Sequence, residues 1–373
     1  MRPLFTPGLA TGRTPWAVLS GLALAAVVAA TPAVPVRAAR PAAPTFRQVN
    51  LVADTPGVAA NTDPKLVNPW GLAFDPFRRS GLWVANNGTG SSTVYDRLGH
   101  TAGYTVTVPA APGAETARPT GVVFNRTLAF RGDKFLFVGE DGIISGWRSG
   151  NSGVIEVNNS GGEAVYKGAA MAAANGAVYL YVANFKAGEI EVYDTDFQPA
   201  ELRENFVDPD LPAGYAPFNI RSINGFLYVA YAQQDTGGED EAGGAGRGII
   251  DIFRTDGRFA KRLVTGSAVG GSAEALNAPW AMASAPAGWG AYSNKLLVGN
   301  FGSGQIAVFH PLNGRFLGLL NDSGGQPITI EGLWDLTRGG GGNAGDPKKV
   351  YFTAGTGDEA HGLFGSLEMN RRR

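Results

Sequence analysis

The chain contains no cysteine. That excludes disulfides, thiolate metal sites, a cysteine nucleophile and a lipid-bearing N-terminal cysteine. Histidine is nearly absent as well, with three in 373 residues. Of His100, His310 and His361, only His361 falls where the repeat pattern described below places a candidate face. Acids and bases nearly cancel, for a formal net charge of −1. A broad basic footprint for nucleic acid is therefore missing. No apolar run reaches the ~20 residues that a membrane-spanning helix needs. The longest, from Trp16 to Ala30, follows Arg2 and Arg13 and precedes small residues around Val36-Arg-Ala38 and Ala39. This is the pattern of a secretory signal peptide, predicted over residues 1–39, with Thr31-Pro-Ala33 as another cleavage site. A short leader, 40–45, follows. The mature chain is expected outside the cell with no membrane span.

Glycine is what the chain has in excess. With 54 Gly and 23 Pro, the two make about a fifth of the residues against a usual share near 12%. Long helices are disfavoured, and many short strands with tight turns are favoured. The stretch Tyr179-Leu-Tyr-Val-Ala-Asn184 followed by Gly188-Glu-Ile-Glu-Val-Tyr-Asp194 reads as two alternating strands joined by a glycine turn. It recurs. Gly90, Gly142, Gly188, Gly248, Gly304 and Gly362 each stand six residues before a polar residue, which follows an aromatic or, in the last copy, Leu367. Ahead of each lies a second apolar run, from Leu82, Leu136, Leu180, Leu227, Leu296 and Val350. Intervals of roughly 45–60 residues approach the length of a four-stranded propeller blade.

The predicted fold is all-β: one six-bladed β-propeller over residues 46–369, of four-stranded antiparallel blades, followed by a basic tail at 370–373. The sixth blade runs out of chain before its fourth strand, while Phe46-Arg-Gln-Val-Asn-Leu-Val52 has no hairpin of its own. Pairing the two closes the ring and removes an open sheet edge. Two Gly-rich insertions, 235–247 in blade four and 338–346 in blade six, read as mobile surface loops. The first carries Asp235, Glu239, Asp240 and Glu241, without the alternating spacing of a calcium loop.

Propeller ligands usually sit where inner strands begin and where the second strand turns into the third. Aligning each blade on the glycine near its inner strand, or the equivalent position, puts Trp70, Thr120, Lys167, Phe218, Trp280 and Glu331 in an inner ring. The residue after each second strand gives Asn86, Glu140, Asn184, Tyr231, Asn300 and Ala354. Eight of these are candidate ligand contacts: Trp70, Asn86, Glu140, Lys167, Asn184, Trp280, Asn300 and Glu331. Aromatics to stack and amides or charges to orient suit a small polar molecule. The three Asn equally suit turn roles, and the two Trp equally suit packing between blades. Lys167 and Glu331 are expected opposite one another, each facing solvent or a ligand. Glu140 and Glu331 are oxygen ligands that a divalent cation such as Ca or Mg would accept, and His361 beside Glu331 or Asp358 is a candidate base. No nucleophile elbow, phosphate loop or zinc spacing occurs in a fitting context.

The motifs Asn68-Pro-Trp-Gly-Leu-Ala-Phe-Asp75, Leu82-Trp-Val-Ala-Asn-Asn-Gly88 and Asn300-Phe-Gly-Ser-Gly-Gln-Ile306 resemble an uncharacterised secreted bacterial β-propeller family, some members of which end in a PEP-CTERM sorting tail. Nearly the whole mature chain, about 46–368, shares the resemblance, although this C-terminus lacks the apolar tail. Blade by blade the chain is also similar to NHL-repeat proteins, and more distantly to gluconolactonase and streptogramin-lyase propellers. The resemblance implies a propeller and export but supplies no catalytic residues. The expected function is a monomeric extracellular module that binds a small polar ligand or an extracellular partner. A metal-assisted lactonase or lyase at the channel mouth is the alternative.

Overall fold

The computed structural model describes residues 43–370. The signal peptide and Arg371–Arg373 of the basic tail lie outside the described residues. The ring has six blades. Blade one holds Pro69–Ala73, Leu82–Asn86, Ser91–Tyr95 and Thr101–Thr107, in spatial order from the axis outward. Blades two, four and five repeat this plan, with inner strands Pro119–Phe124, Tyr215–Ile223 and Pro279–Ser284. Blade three has three strands, Tyr166–Ala174, Ala177–Asn184 and Glu189–Tyr193. Its outer position is held by a bridge from Tyr193 to Pro199, because a proline cannot extend a ladder.

Closure follows the predicted route. Phe46–Ala53 pairs antiparallel with Leu363–Met369, the third strand of blade six, from Phe46 opposite Met369 to Ala53 opposite Leu363. The free side of this closing strand is itself covered by Asn61–Thr62, which pairs with it in parallel. At the end of the leader, Thr45 bridges to Asn321, and its carbonyl accepts the Asn370 N–H at 2.8 Å. Phe46 is buried against the rings of Trp289 and Tyr292, at 4.6 and 6.1 Å between centroids. Both partner rings belong to blade five, so this side chain locks the last two blades together.

The repeat glycines have a backbone reason. Gly90 and Gly188 sit at φ +58° and +74°, a left-handed turn that side chains with a Cβ resist. Along the axis, small residues let the inner strands approach. A Cβ on Gly71 would stand 2.7 Å from the Thr120 carbonyl oxygen, and one on Gly121 would stand 2.8 Å from the Ala169 nitrogen.

Between the blades the core is not purely apolar. Asp251, fully buried on the third strand of blade four, has no hydrogen-bond donor on either oxygen. It faces Asp208, whose Oδ2 accepts Arg262 Nε at 3.0 Å, while Arg262 Nε stays 3.6 Å from Asp251. Burial, reinforced by Asp208 and opposed by Arg262, pushes the Asp251 carboxyl up to about 8. A neutral acid that donates to Asp208 relieves an otherwise uncompensated buried charge.

Phe46→Ala should cost about 3–5 kcal/mol in denaturant unfolding, the range for a buried aromatic truncated to alanine. A loss no larger than that of an exposed residue would contradict closure by this strand. Because the folded pKa of Asp251 lies above its unfolded value, its stabilisation is complete below about pH 4 and is lost as pH rises through about 8. Asp251→Asn should therefore gain melting temperature over the parent steadily across that window. A constant difference would show that Asp251 is ionised throughout.

Candidate functional site

Strand register realigns the predicted columns. Each inner strand carries a bulge near its start, and the last paired residue before that bulge fixes the alignment: Pro69 faces Asn86, Pro119 faces Gly139, Tyr166 faces Asn184, Pro217 faces Tyr231, Pro279 faces Asn300 and Leu333 faces Ala354. The next residue in each blade is then Trp70, Thr120, Lys167, Phe218, Trp280 and Trp334. Blade six contributes Trp334, not Glu331. Glu331 lies three residues earlier, exposed, and its Oε1 accepts the Gly357 N–H at 3.1 Å. Aligning on glycine selected Gly332, whereas the matching word is Leu-Trp-Asp-Leu against Pro-Trp-Gly-Leu. The small column ends correspondingly in Asp335. Glu140 moves too: Gly139 is the counterpart of Asn86, and Glu140 that of Asn87.

The corrected ring is a plug. Trp70 stacks on Trp334 with centroids 3.3 Å apart, and Trp280 meets both edge-on at 6.0 Å. Phe218, Phe185 and Phe301 complete the cluster. Trp70 and Trp280, expected either at the mouth or packed between blades, are 1% and 2% exposed, because wide aromatic rings fill the space that converging strands leave. Trp280 Nε1 donates to the Lys167 carbonyl at 3.0 Å, and Trp334 Nε1 donates to Asn68 Oδ1 at 2.9 Å. Trp70 Nε1 is buried with no acceptor among the described residues.

The three predicted Asn are buried and serve their own blades. Asn86 Nδ2 donates to Ser91 and Thr93, Asn184 Nδ2 to Glu191 at 2.7 Å, and Asn300 Nδ2 to the Ala275 and Gln305 carbonyls. Asn184 and Asn300 also accept backbone N–H groups, from Val165 and Asn277.

Lys167 is the exception in the plug ring. Its ammonium lies 5.3 Å from the centre of the Trp70 ring, a cation–π distance. It was expected to face solvent or ligand, yet it donates to Glu140 Oε1 at 2.5 Å and to Asp240 Oδ1 at 2.8 Å. Burial alone would lower its pKa, but Glu140 and Asp240 outweigh burial and hold it above the ordinary lysine value. Asp240 arrives on the insertion 235–247. Rather than a loose loop, this segment is tied down where Lys186 meets Glu239 at 3.0 Å and Gln234 Nε2 donates to the Phe185 carbonyl at 2.8 Å.

Two more carboxyls join this mouth. Glu359 accepts from Asn68 Nδ2 at 2.5 Å, so Asn68 links it to Trp334. Burial raises Glu359, with Glu140 and Asp240 adding while the Asn68 bond and Lys167 oppose. Burial likewise pushes Glu241 up to about 7, opposed by Lys167 and reinforced by Glu359 and Asp240. Two carboxylates thus bond one ammonium, and two further carboxyls at the same mouth feel its charge. The other arrangement considered, Glu140 with Glu331 and His361, does not form a centre. His361 Nδ1 lies 2.8 Å from Asp54 Oδ2, and no three His, Asp or Glu side chains converge to hold a metal ion among the described residues.

No known family profile matches the chain. An uncharacterised protein of Acanthamoeba polyphaga mimivirus is 34% identical over 346 residues, spanning 88% of this chain and 81% of the relative. A second from the same virus is 32% identical over 349 residues, spanning 88% and 87%. The chain belongs to their family. Among solved structures, the apo soluble aldose sugar dehydrogenase of Escherichia coli superposes with TM-score 0.54 at 15% identity, covering 87% of this chain and all of that one. At that identity the likeness shows the propeller fold and nothing of the chemistry. Both of these mimivirus relatives are viral proteins.

The coupling within the mouth is testable. Lys167→Met removes the charge that opposes protonation of Glu241, so the Glu241 carboxyl titration, followed by carbon-detected NMR, should move above about 7. An unmoved titration would show that Lys167 and Glu241 do not share a site.

Proposed function

We propose that this family member is a binding propeller whose mouth takes a small polar ligand bearing positive charge. The observation that carries the reading is the charge imbalance: Glu140, Asp240, Glu241 and Glu359 gather around Lys167 alone. A bound cation would relieve the repulsion that adds to burial in raising Glu241 and Glu359. Of the eight predicted contacts, Glu140 and Lys167 remain at this mouth as ligand contacts, with Trp70 and Trp280 as its floor. Asn86, Asn184 and Asn300 shape the turns around it, and Glu331 lies outside the cluster.

An organic ammonium is one ligand that suits these carboxyls; because no three of them converge on a preformed metal site among the described residues, a divalent cation such as Ca or Mg would be held partly through its own waters. Binding is favoured over metal-assisted lactonase or lyase chemistry because Glu140, Glu331 and His361, which that chemistry asks to act together, do not converge as one group among the described residues. Export is part of the proposal: it rests on the basic and apolar N-terminal run, and kinship with a secreted bacterial family rests on the quoted motifs. The ligand would then be met outside the cell by a monomeric module.

A thermal-shift screen with Ca²⁺, Mg²⁺, organic ammonium ions, neutral sugars and lactones tests the reading. Cations should raise the melting temperature, and more so at about pH 8 than at about pH 6, because Glu241 ionises across that interval. Asp240→Asn should weaken the effect. Stabilisation by neutral sugars or lactones alone, or a cation effect indifferent to Asp240→Asn, would reject it.

A further inference from the structure

The plug closes the channel at one end only. Beyond it, where the inner strands finish, a cavity of about 640 Å³ opens on the opposite face, within the usual size range of small-molecule sites. Its walls come from the distal halves of the inner strands of blades one, two, three, four and six. Leu72, Phe74, Val122, Phe124 and the run Ala169–Ala173 make the walls apolar, with Ser222, Thr127, Thr255 and Thr337 as sparse hydroxyls. The charged lining consists of Arg126 and Arg221, and no carboxylate lines it.

The two guanidiniums differ in how they are held. Arg221 is anchored at the cavity floor by Nη2, which donates to the Asp335 carboxylate. Asp335 is itself fully buried, accepting the Leu72 N–H at 2.8 Å and the Leu336 N–H at 2.6 Å. The anchor fixes the direction of the guanidinium, while its Nε and Nη1 have no acceptor among the described residues and keep contact with the cavity. Arg126 stands at the rim, exposed, with no hydrogen-bond or ion-pair partner among the described residues. Donors left over on a pre-oriented guanidinium, a second free guanidinium above it and apolar walls between are complementary to an anionic head joined to an apolar body.

We propose that this vestibule is a second ligand site, for a small amphipathic organic anion whose head meets Arg221 and Arg126 and whose apolar part lies on the alanine and phenylalanine walls. It is independent of the acidic mouth: the aromatic plug separates them, and no residue is shared between them. The two ends of one channel are thereby opposite in charge preference.

Isothermal titration with octanoate, run beside the neutral octanamide, tests the site. Octanoate should bind at one saturable site, and octanamide should not. Arg126→Glu, a rim change that leaves the core untouched, should weaken octanoate by about fivefold or more, as loss and reversal of one partly exposed charge contact implies, at an unchanged melting temperature. Arg221→Lys keeps a charge for Asp335 while removing the fork, and should weaken it comparably. Asp240→Asn, at the other mouth, should leave octanoate binding as it was, which separates failure here from failure of the cation site. No saturable octanoate binding, equal binding of octanamide, or a smaller effect of Arg126→Glu in folded protein would overturn the proposal.

Discussion

Six inner strands converging on one axis leave a space that backbone cannot fill, and the rest of this molecule depends on how side chains fill it. The position at the bulge of each inner strand carries Trp70, Phe218, Trp280 and Trp334 in four of the blades, and their mutual packing closes the channel. The next position stays small where neighbouring backbones would otherwise collide, as at Gly71 and Gly121. Large and small residues in adjacent columns thus form a device that both packs the hub and divides it. On one side gather four carboxyls and a buried lysine; on the other open two arginines over apolar walls. Buried charge is tolerated at each end for the same reason, namely that every such group has a partner or an altered protonation state.

The hub also explains why polar residues interrupt otherwise apolar strands. Asn219, in the small column, donates to the Trp280 carbonyl at 2.9 Å and so ties blade four to blade five. Asp335, in the same column, ties blade six to blade one through Leu72. These two replace close backbone approach with side-chain hydrogen bonds, and Asp335 needs Arg221 to offset its burial. Burial raises the Asp335 carboxyl, and Arg221 opposes that rise.

Fold and closure were legible because they rest on local, repeated chemistry. A glycine turn between two alternating strands recurs six times, and the orphan strand at Phe46 matches a missing one in blade six. The mouth was only partly legible. Lys167 and Glu140 were found because they stand out chemically against their repeats. Glu331 was wrongly aligned with Trp70 because glycine was used as the anchor, although a bulge rather than a glycine defines the position. The words Pro-Trp-Gly-Leu and Leu-Trp-Asp-Leu held the signal that would have selected Trp334. Asp240 and Glu241 were hidden for another reason. Their loop is Gly-rich and reads as solvated, and only tertiary contacts with Lys167 and Lys186 show that it is anchored over the mouth. Glu359 was unmarked, since its partner Asn68 is distant in sequence.

The most direct test of the central claim, an acidic mouth floored by an indole plug and suited to a cation, is sensitised terbium luminescence. Trp70 and Trp334 lie beneath the carboxyls, so excitation of tryptophan should drive emission from Tb³⁺ bound there. The account predicts saturable emission that is reduced by Asp240→Asn and by Glu359→Gln and competed by Ca²⁺. Absence of sensitised emission, or emission unchanged by both substitutions in folded protein, would contradict it.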